Sequence, residues 1–480
     1  MNLSGKIMLF LSMSFIYGGC GQKNSTYAQQ LNANGIPIVA YVGATLIDGT
    51  GDQYVTDAVV LAAGGKILKA GSRNLVAVPD KAQVVDVSGK WIVPGLIDAH
   101  GHFFESGRIY TSPGKLDLTH LVSYEEEIEW AKKRLPVTLA SYLCAGVTSV
   151  LSAGGPKFEY QARELAKSLK AAPDVFVAHG PITQVPAEVI QSILPLYDGD
   201  TSARSVANVQ EARAAIVQAS DWGADLIKTG YLGGPLAQME NDYVAIHEAI
   251  VAEANYRGFK VTAHVTEMVA AQNLIGTGID SLQHVPNDTV FDDKTILQLK
   301  SQGVVVVPTL AVMGPRTSIE LRDKSFQLLE IEKMCGDPQV ISSWYEVEDW
   351  PPLEDAQLAQ ARADMEIVLA NTKKLYANGV PLAAGSDAGN TGLLHGASLH
   401  YELKLLQAAG LSNHDLIVAA TLNAARVAGK EDLIGSIESG KQADFLVLNA
   451  NPLENIANLQ AIEFVVKSGH MFTQESLLLH

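Results

Sequence analysis

Cysteine is scarce in this chain, three residues in 480, so a disulfide framework is not expected to hold the fold together. Blocks of lysine and arginine are missing as well. With a formal charge of −17, the protein is set against the phosphates of nucleic acid, which are gripped by clustered cations, and a nucleic-acid partner is not expected. The apolar segment near the start, residues 7 to 17, falls well short of the roughly 20 residues that a membrane-spanning helix needs. Apolar side chains, by contrast, are plentiful. A content of 47% hydrophobic and 18% charged residues describes a globular protein, long enough for a large barrel domain plus a smaller one.

A lysine, the short apolar segment and then small residues, in "MNLSGKIMLFLSMSFIYGGCGQKNS", have the layout of a secretory signal, and export is expected. "YGGC" resembles a bacterial lipoprotein cleavage box. On that reading residues 1–20 are the leader, Cys20 is lipidated, and the protein is tethered at the outer membrane; its tyrosine departs from the usual aliphatic residue. Cleavage after Ala28, in "STYAQQ", is the alternative, which leaves a free periplasmic protein. Cys144 reads as a buried packing residue and Cys335 as a loop thiol.

Residues 36–92 alternate apolar and polar positions between Gly, Asp and Asn turn signals, the pattern of short antiparallel strands with one face buried. The same texture returns over 433–471. Neither segment buries a sheet alone, so the two are expected to form one composite β-sandwich domain with residues 93–432 inserted between them. The inserted region reads as short apolar runs, each followed by helical spacing: "GLIDAH", "VTSVLSAG", "DVFVAHG", "ADLIKTG", "KVTAHV", "SLQHV", "VVVVPTL" and "PLAAGSDAG". After the fifth, Met268, Ala271, Leu274 and Ile275 share one helical face before Gly276 and Gly278. Strand and helix in alternation imply a parallel sheet, and eight such units close into an α/β (β/α)₈ barrel, whose chemistry sits at the carboxyl ends of the strands.

Those ends carry an unusual set of side chains. The first run ends in His100 and His102, the fourth in Lys228, the fifth in His264, the sixth in His284 and the eighth in Asp387. An isolated H-x-H is as readily a hydrogen-bonded or solvent-facing pair. Four of only 12 histidines at equivalent strand ends point instead to a shared divalent metal, for which imidazole and carboxylate are suitable donors, zinc above all. Lys228 cannot bind a cation as an ammonium ion. Burial among apolar neighbours lowers its pKa, and the neutral amine can take up CO₂ as an anionic carbamate with two oxygens able to bridge two metals.

With "GLIDAHGH", "GVTSV", "GADLIKTGYLGG", "VTAHV", "GIDSLQHV", "AGSDAG" and "TLNAARVAGKEDLIGSIESGKQADFLVL", the chain resembles the amidohydrolase superfamily, in its imidazolonepropionase-like and prolidase-like dipeptidase branch. The resemblance implies two metal ions, one held by His100, His102, Asp387 and carboxylated Lys228, the other by Lys228, His264 and His284. It also implies that Asp387 takes the proton from the bridging hydroxide and passes it to the leaving group. Metal coordination lowers the pKa of water from about 15.7 to 7, so hydroxide is available at neutral pH.

Substrate contacts are less defined. Tyr231 can donate a hydrogen bond to a developing oxyanion, or pack in its loop. His179 and His395 stand at the third strand end and after the eighth, where each can touch a substrate or support neighbouring groups. The insertion from Gly314 to about Ala370 is expected to cover the mouth, and Arg316 and Arg322 are candidates to clamp an anionic terminus. The expected activity is hydrolysis of a C–N bond in a small dipeptide or N-acyl amino acid, of Xaa-Pro or Xaa-Arg type, by a homo-oligomer. A lactonase or phosphotriesterase using the same cage is the alternative, and a non-catalytic scaffold the reading from a different class.

Overall fold

The chain enters and leaves through one sheet and builds a second in between. In this computed structural model the described residues are 36–51, 54–111, 117–193, 196–230, 241–313, 327–347 and 355–478. The leader with Cys20 and Ala28, Tyr231, and Arg316 and Arg322 lie outside them.

Five strands come first: β1 (Val39–Leu46), β2 (Val55–Ala63), β3 (Lys66–Ser72), β4 (Gln83–Asp86) and β5 (Trp91–Pro94). The barrel strands follow as β6 (Leu96–Gly101), β7 (Val147–Ser152), β8 (Asp174–Thr183), β9 (Arg204–Ser205), β10 (Leu226–Gly230), β11 (Val261–His264), β12 (Ser281–Gln283) and β13 (Val305–Val307). Last come β14 (Phe445–Leu448), β15 (Ile462–Lys467) and β16 (His470–Phe472). The terminal strands share one sheet, in the order β16-β15-β14-β5-β1-β2-β3 with β4 beside β1. The two ends of the chain meet where β14 pairs antiparallel with β5. Alternation along the strands gives this sheet an apolar cluster around Tyr41, Val60, Ile67 and Phe445, and another around Ile38, Val59 and Leu61.

The inserted sheet is parallel and runs β6-β7-β8-β10-β11-β12-β13, with β9 a short partner of β8. Both faces of its strands are buried, as helices cover the outside and side chains fill the inside. The eighth run closes the barrel through single bridges, Leu382 beside Val306 and Ala388 beside Gly101, rather than as a full strand. Gly385 lies in that run, and a Cβ there would stand 2.6 Å from Val307 Cγ1 and 2.9 Å from His100 Cβ. The helix expected after the fifth run spans Met268–Gly276.

Cys144 and Cys335, read from the sequence as a packing residue and a loop thiol, form a disulfide across 191 positions. It joins the end of helix Tyr124–Cys144 to helix Glu330–Cys335 of the insertion. That insertion also bonds to the loop after β6: Trp344 Nε1 donates to Gly107 O at 2.8 Å, and Ser343 Oγ accepts from Ile109 N at 3.1 Å. One disulfide therefore does contribute to the fold, fastening this insertion to the barrel wall.

Two buried charges make testable claims. Lys467, at the end of β15, reaches Asp444 at 2.6 Å in its own sheet and Asp174 at 2.7 Å at the start of β8, so it ties the two sheets together. Lys467→Met leaves Asp444 a buried carboxylate without its cation and is expected to cost about 3–5 kcal/mol in urea unfolding; a loss under about 1 kcal/mol would show that the junction does not depend on it. Glu332 in the insertion accepts from Leu329 N and Ser398 Oγ. Burial, opposed by those bonds, raises its carboxyl from 4.5 to about 7. A raised acid favours folding below its unfolded pKa, and that contribution is lost as pH rises through about 7. The thermal midpoint of the wild type relative to Glu332→Gln should therefore fall between pH 5 and pH 8, and a constant difference would exclude the effect.

Candidate metal centre

Parallel register sets the strand ends side by side. Gly230 pairs with His264, and His264 with Gln283, so β10, β11 and β12 finish at one level. His100, His102, Lys228, His264, His284 and Asp387 line one cavity of about 330 Å³ at that rim. Within it His100 Nε2 stands 3.2 Å from His102 Nε2, and Asp387 Oδ1 lies 3.3 and 3.5 Å from these two nitrogens. Donors about 2.0–2.1 Å from a tetrahedral zinc ion stand about 3.3–3.4 Å apart, so the spacing is that of a coordination shell. The His264 and His284 ring centroids are 4.6 Å apart, and those of His100 and His284 4.9 Å.

Hydrogen bonds behind the rings decide which nitrogens carry protons. Gln283 donates its amide to Thr262 Oγ1, leaving Oε1 to accept from His100 Nδ1 at 2.7 Å. His102 Nδ1 donates to the Gly154 carbonyl at 2.8 Å. Each neutral ring thus turns a bare Nε2 toward the other and toward a carboxylate oxygen. Lone pairs in that arrangement repel one another, and a divalent cation between them resolves the repulsion; the residues present fit such an ion. Burial holds all four imidazoles neutral: His102 and His264 are lowered to about 3, with Lys228 adding to the effect, and His100 and His284 lie well below the usual range. Lys228 is lowered to about 8 by burial against the opposing charges of Asp387 and Glu105.

Several supporting residues carry no mark in the sequence. Asp98 accepts from His100 N and Ser386 N at 3.2 and 2.9 Å and from Ser386 Oγ at 2.5 Å, joining the first and last strand ends. Glu159 accepts from the Phe103 and Phe104 amides and from Ser152 Oγ, and so fixes the turn after His102. Burial raises both carboxyls to about 7. Glu105 lines the cavity itself. Its place three residues after His102 is the only sequence signal it has, and Glu159 has none.

The histidines considered for substrate stand elsewhere. His179 bonds through Nδ1 to Tyr160 Oη at 2.9 Å and packs against Trp222, with ring centroids 5.2 Å apart. It belongs to the layer between barrel and helices, not to the cavity wall. His395 is buried, its Nε2 donates to the His102 carbonyl at 2.9 Å, and its ring stacks on Phe103, so it buttresses the turn at His102 from behind. Tyr231 lies outside the described residues.

Comparison with known proteins gives a consistent picture. The Amidohydrolase family profile matches residues 91–472. Ochratoxinase of Aspergillus niger is 26% identical over 407 residues, 79% of this chain and 75% of that protein. A solved Xaa-Pro dipeptidase with methionine in its active site shares the fold with a TM-score of 0.68 at 24% identity, over 91% of this chain and 100% of that one. The A. niger ochratoxinase structure gives a TM-score of 0.68 at 22% identity, over 91% and 96%. The chain belongs to the amidohydrolase family and is a hydrolase built on that barrel.

Proposed function

We propose that this protein is an exported hydrolase with two divalent metal ions, most simply zinc, that cleaves the C–N bond of a dipeptide or an N-acyl amino acid. The observation that carries this reading is the meeting of two proton-free imidazole nitrogens and the Asp387 carboxylate in a cavity that Lys228, His264 and His284 also line. The names of the relatives, an ochratoxinase and an Xaa-Pro dipeptidase, support it.

His100, His102 and Asp387 would hold one ion, and His264 and His284 the other. Lys228, with its ammonium destabilised by burial, would take up CO₂ as a carbamate and add an anionic donor to the site. Two divalent ions held there would supply hydroxide at neutral pH and polarise a carbonyl. Asp387 remains a carboxylate beside cations, accepts a proton during attack and hands it to the departing amine, whose expulsion needs that proton. The Phe104, Pro181, Val312 and Met313 side chains wall the cavity, exclude water and offer an apolar surface to the substrate. The leader and the Cys20 box support export with lipid attachment, which mass spectrometry of the mature N-terminus would reveal.

Turnover of the zinc-loaded protein on pooled Xaa-Pro, Xaa-Arg and N-acyl amino-acid libraries is the expected result; turnover confined to lactones or a phosphotriester would overturn the bond assignment. Asp387→Asn should retain much of the metal and lose about 10²–10⁴-fold in kcat, whereas an unchanged kcat would remove it from the proton path. Lys228→Ala should lose most metal and activity, with partial recovery in a short-chain carboxylic acid. Full activity without the acid would show that no carbamate is needed.

A further inference from the structure

Among the supports of the cage, the one behind His284 is built differently from the others. We propose that Thr309 is a positioning residue: its hydroxyl, delivered by a left-handed backbone turn at the end of β13, fixes His284 in the tautomer that leaves Nε2 bare for metal. The inference rests on the metal-dependent reading above.

The hydrogen-bond direction follows by elimination. Thr309 Oγ1 lies 2.7 Å from the Pro308 carbonyl oxygen and 2.5 Å from His284 Nδ1. A hydroxyl has one proton to give, and a carbonyl oxygen can only accept, so the proton points to Pro308. Oγ1 must then accept from His284, which places the ring's proton on Nδ1. In a neutral imidazole Nε2 is consequently the lone-pair nitrogen, the form in which histidine ligates metals. Reversal of the pair would require Thr309 to leave the Pro308 oxygen.

The backbone shows what this placement demands. Thr309 has φ 52° and His284 φ 68°. Left-handed backbone is uncommon for any residue with a Cβ and a genuine outlier for a β-branched one, which crowds its own carbonyl there. Thr309 is only 1% exposed, so no contact with water explains its conformation. His284 directly follows β12 and Thr309 stands two residues beyond β13, its parallel neighbour, with a register that brings Gln283 beside Val307. The His284 amide in turn donates to Val307 O at 2.8 Å. Two turns of unfavourable conformation thus hold each other, main chain to main chain and side chain to side chain, at the point where a ligand projects into the cavity. Strained conformations that persist in this way cluster at sites of function.

The test is zinc affinity measured by chelator competition, beside the thermal midpoint of the metal-free protein. Thr309→Val keeps shape and strain but removes the acceptor, and it is expected to weaken one of the two ions by about 10–100-fold while the metal-free midpoint stays within a few degrees. Thr309→Ser keeps the hydroxyl and should bind within about threefold of the wild type. Thr309→Gly accommodates the positive φ and should lose affinity as the valine variant does while folding at least as readily; it decides the matter if the valine variant fails to fold. Wild-type affinity for both ions in Thr309→Val or Thr309→Gly overturns the role of Thr309 alone. A wild-type protein that binds no zinc overturns the metal-dependent reading itself.

Discussion

Repulsion among lone pairs is the constraint around which this molecule is arranged. Two imidazole nitrogens without protons and a carboxylate oxygen stand within 3.5 Å of one another in a buried cavity, where little water screens them. Such a group is costly unless a cation joins it. The barrel can impose the arrangement because both imidazoles are fixed from behind, by Gln283 and the Gly154 carbonyl, while Asp98 ties the main chain at His100 to Ser386, the neighbour of Asp387. Close approach of the last run to the first completes it. Gly389, at φ 111°, leaves room that a Cβ would close to 2.5 Å from the His102 carbonyl oxygen and 2.8 Å from that of Glu105.

Strain and buried charge gather at the same rim. His284, Thr309 and Asp387 all have positive φ, and Asp98 and Glu159 are carboxyls taken out of water to accept main-chain N–H groups beside His100 and His102. Each feature is unfavourable by itself. Their stability is borrowed from the large apolar core beneath, in which barrel strands and surrounding helices are packed with few exposed atoms. Side chains held in this way by strand ends and buried hydrogen bonds are preorganised in the positions they occupy.

Much of this could be read from the sequence because strand ends repeat. Val- and Leu-rich runs gave the parallel sheet, and a ligand-capable side chain at five of the eight ends gave the cavity. Strand ends are less legible where the chain runs on past its apolar pattern. The third run was expected to finish at His179, but β8 continues to Thr183. Phe176 and Ala178 pack with Leu226 and Val305 in one cluster, so alternation turns His179 to the other face, against Tyr160 and Trp222. Pro181, further along, lines the cavity instead. His395 was placed in the correct loop, but its ring supports the His102 carbonyl, a distinction that depends on which way a loop folds back. The Cys144–Cys335 bond spans 191 positions, and no local pattern marks such a pair. Glu159 and Gln283 were equally silent, because their importance lies in the main-chain and ring N–H groups they meet.

The most direct measurement is anomalous X-ray diffraction at the zinc absorption edge, from crystals of the zinc-loaded protein grown in the presence of CO₂. Two peaks about 3.5–4 Å apart, one among His100, His102 and Asp387 and one beside His264 and His284, with continuous density from Lys228 Nζ to a group bridging them, are the expected result. A single peak with Lys228 ending in a bare amine, or no peak in this cavity, would contradict the two-ion cage.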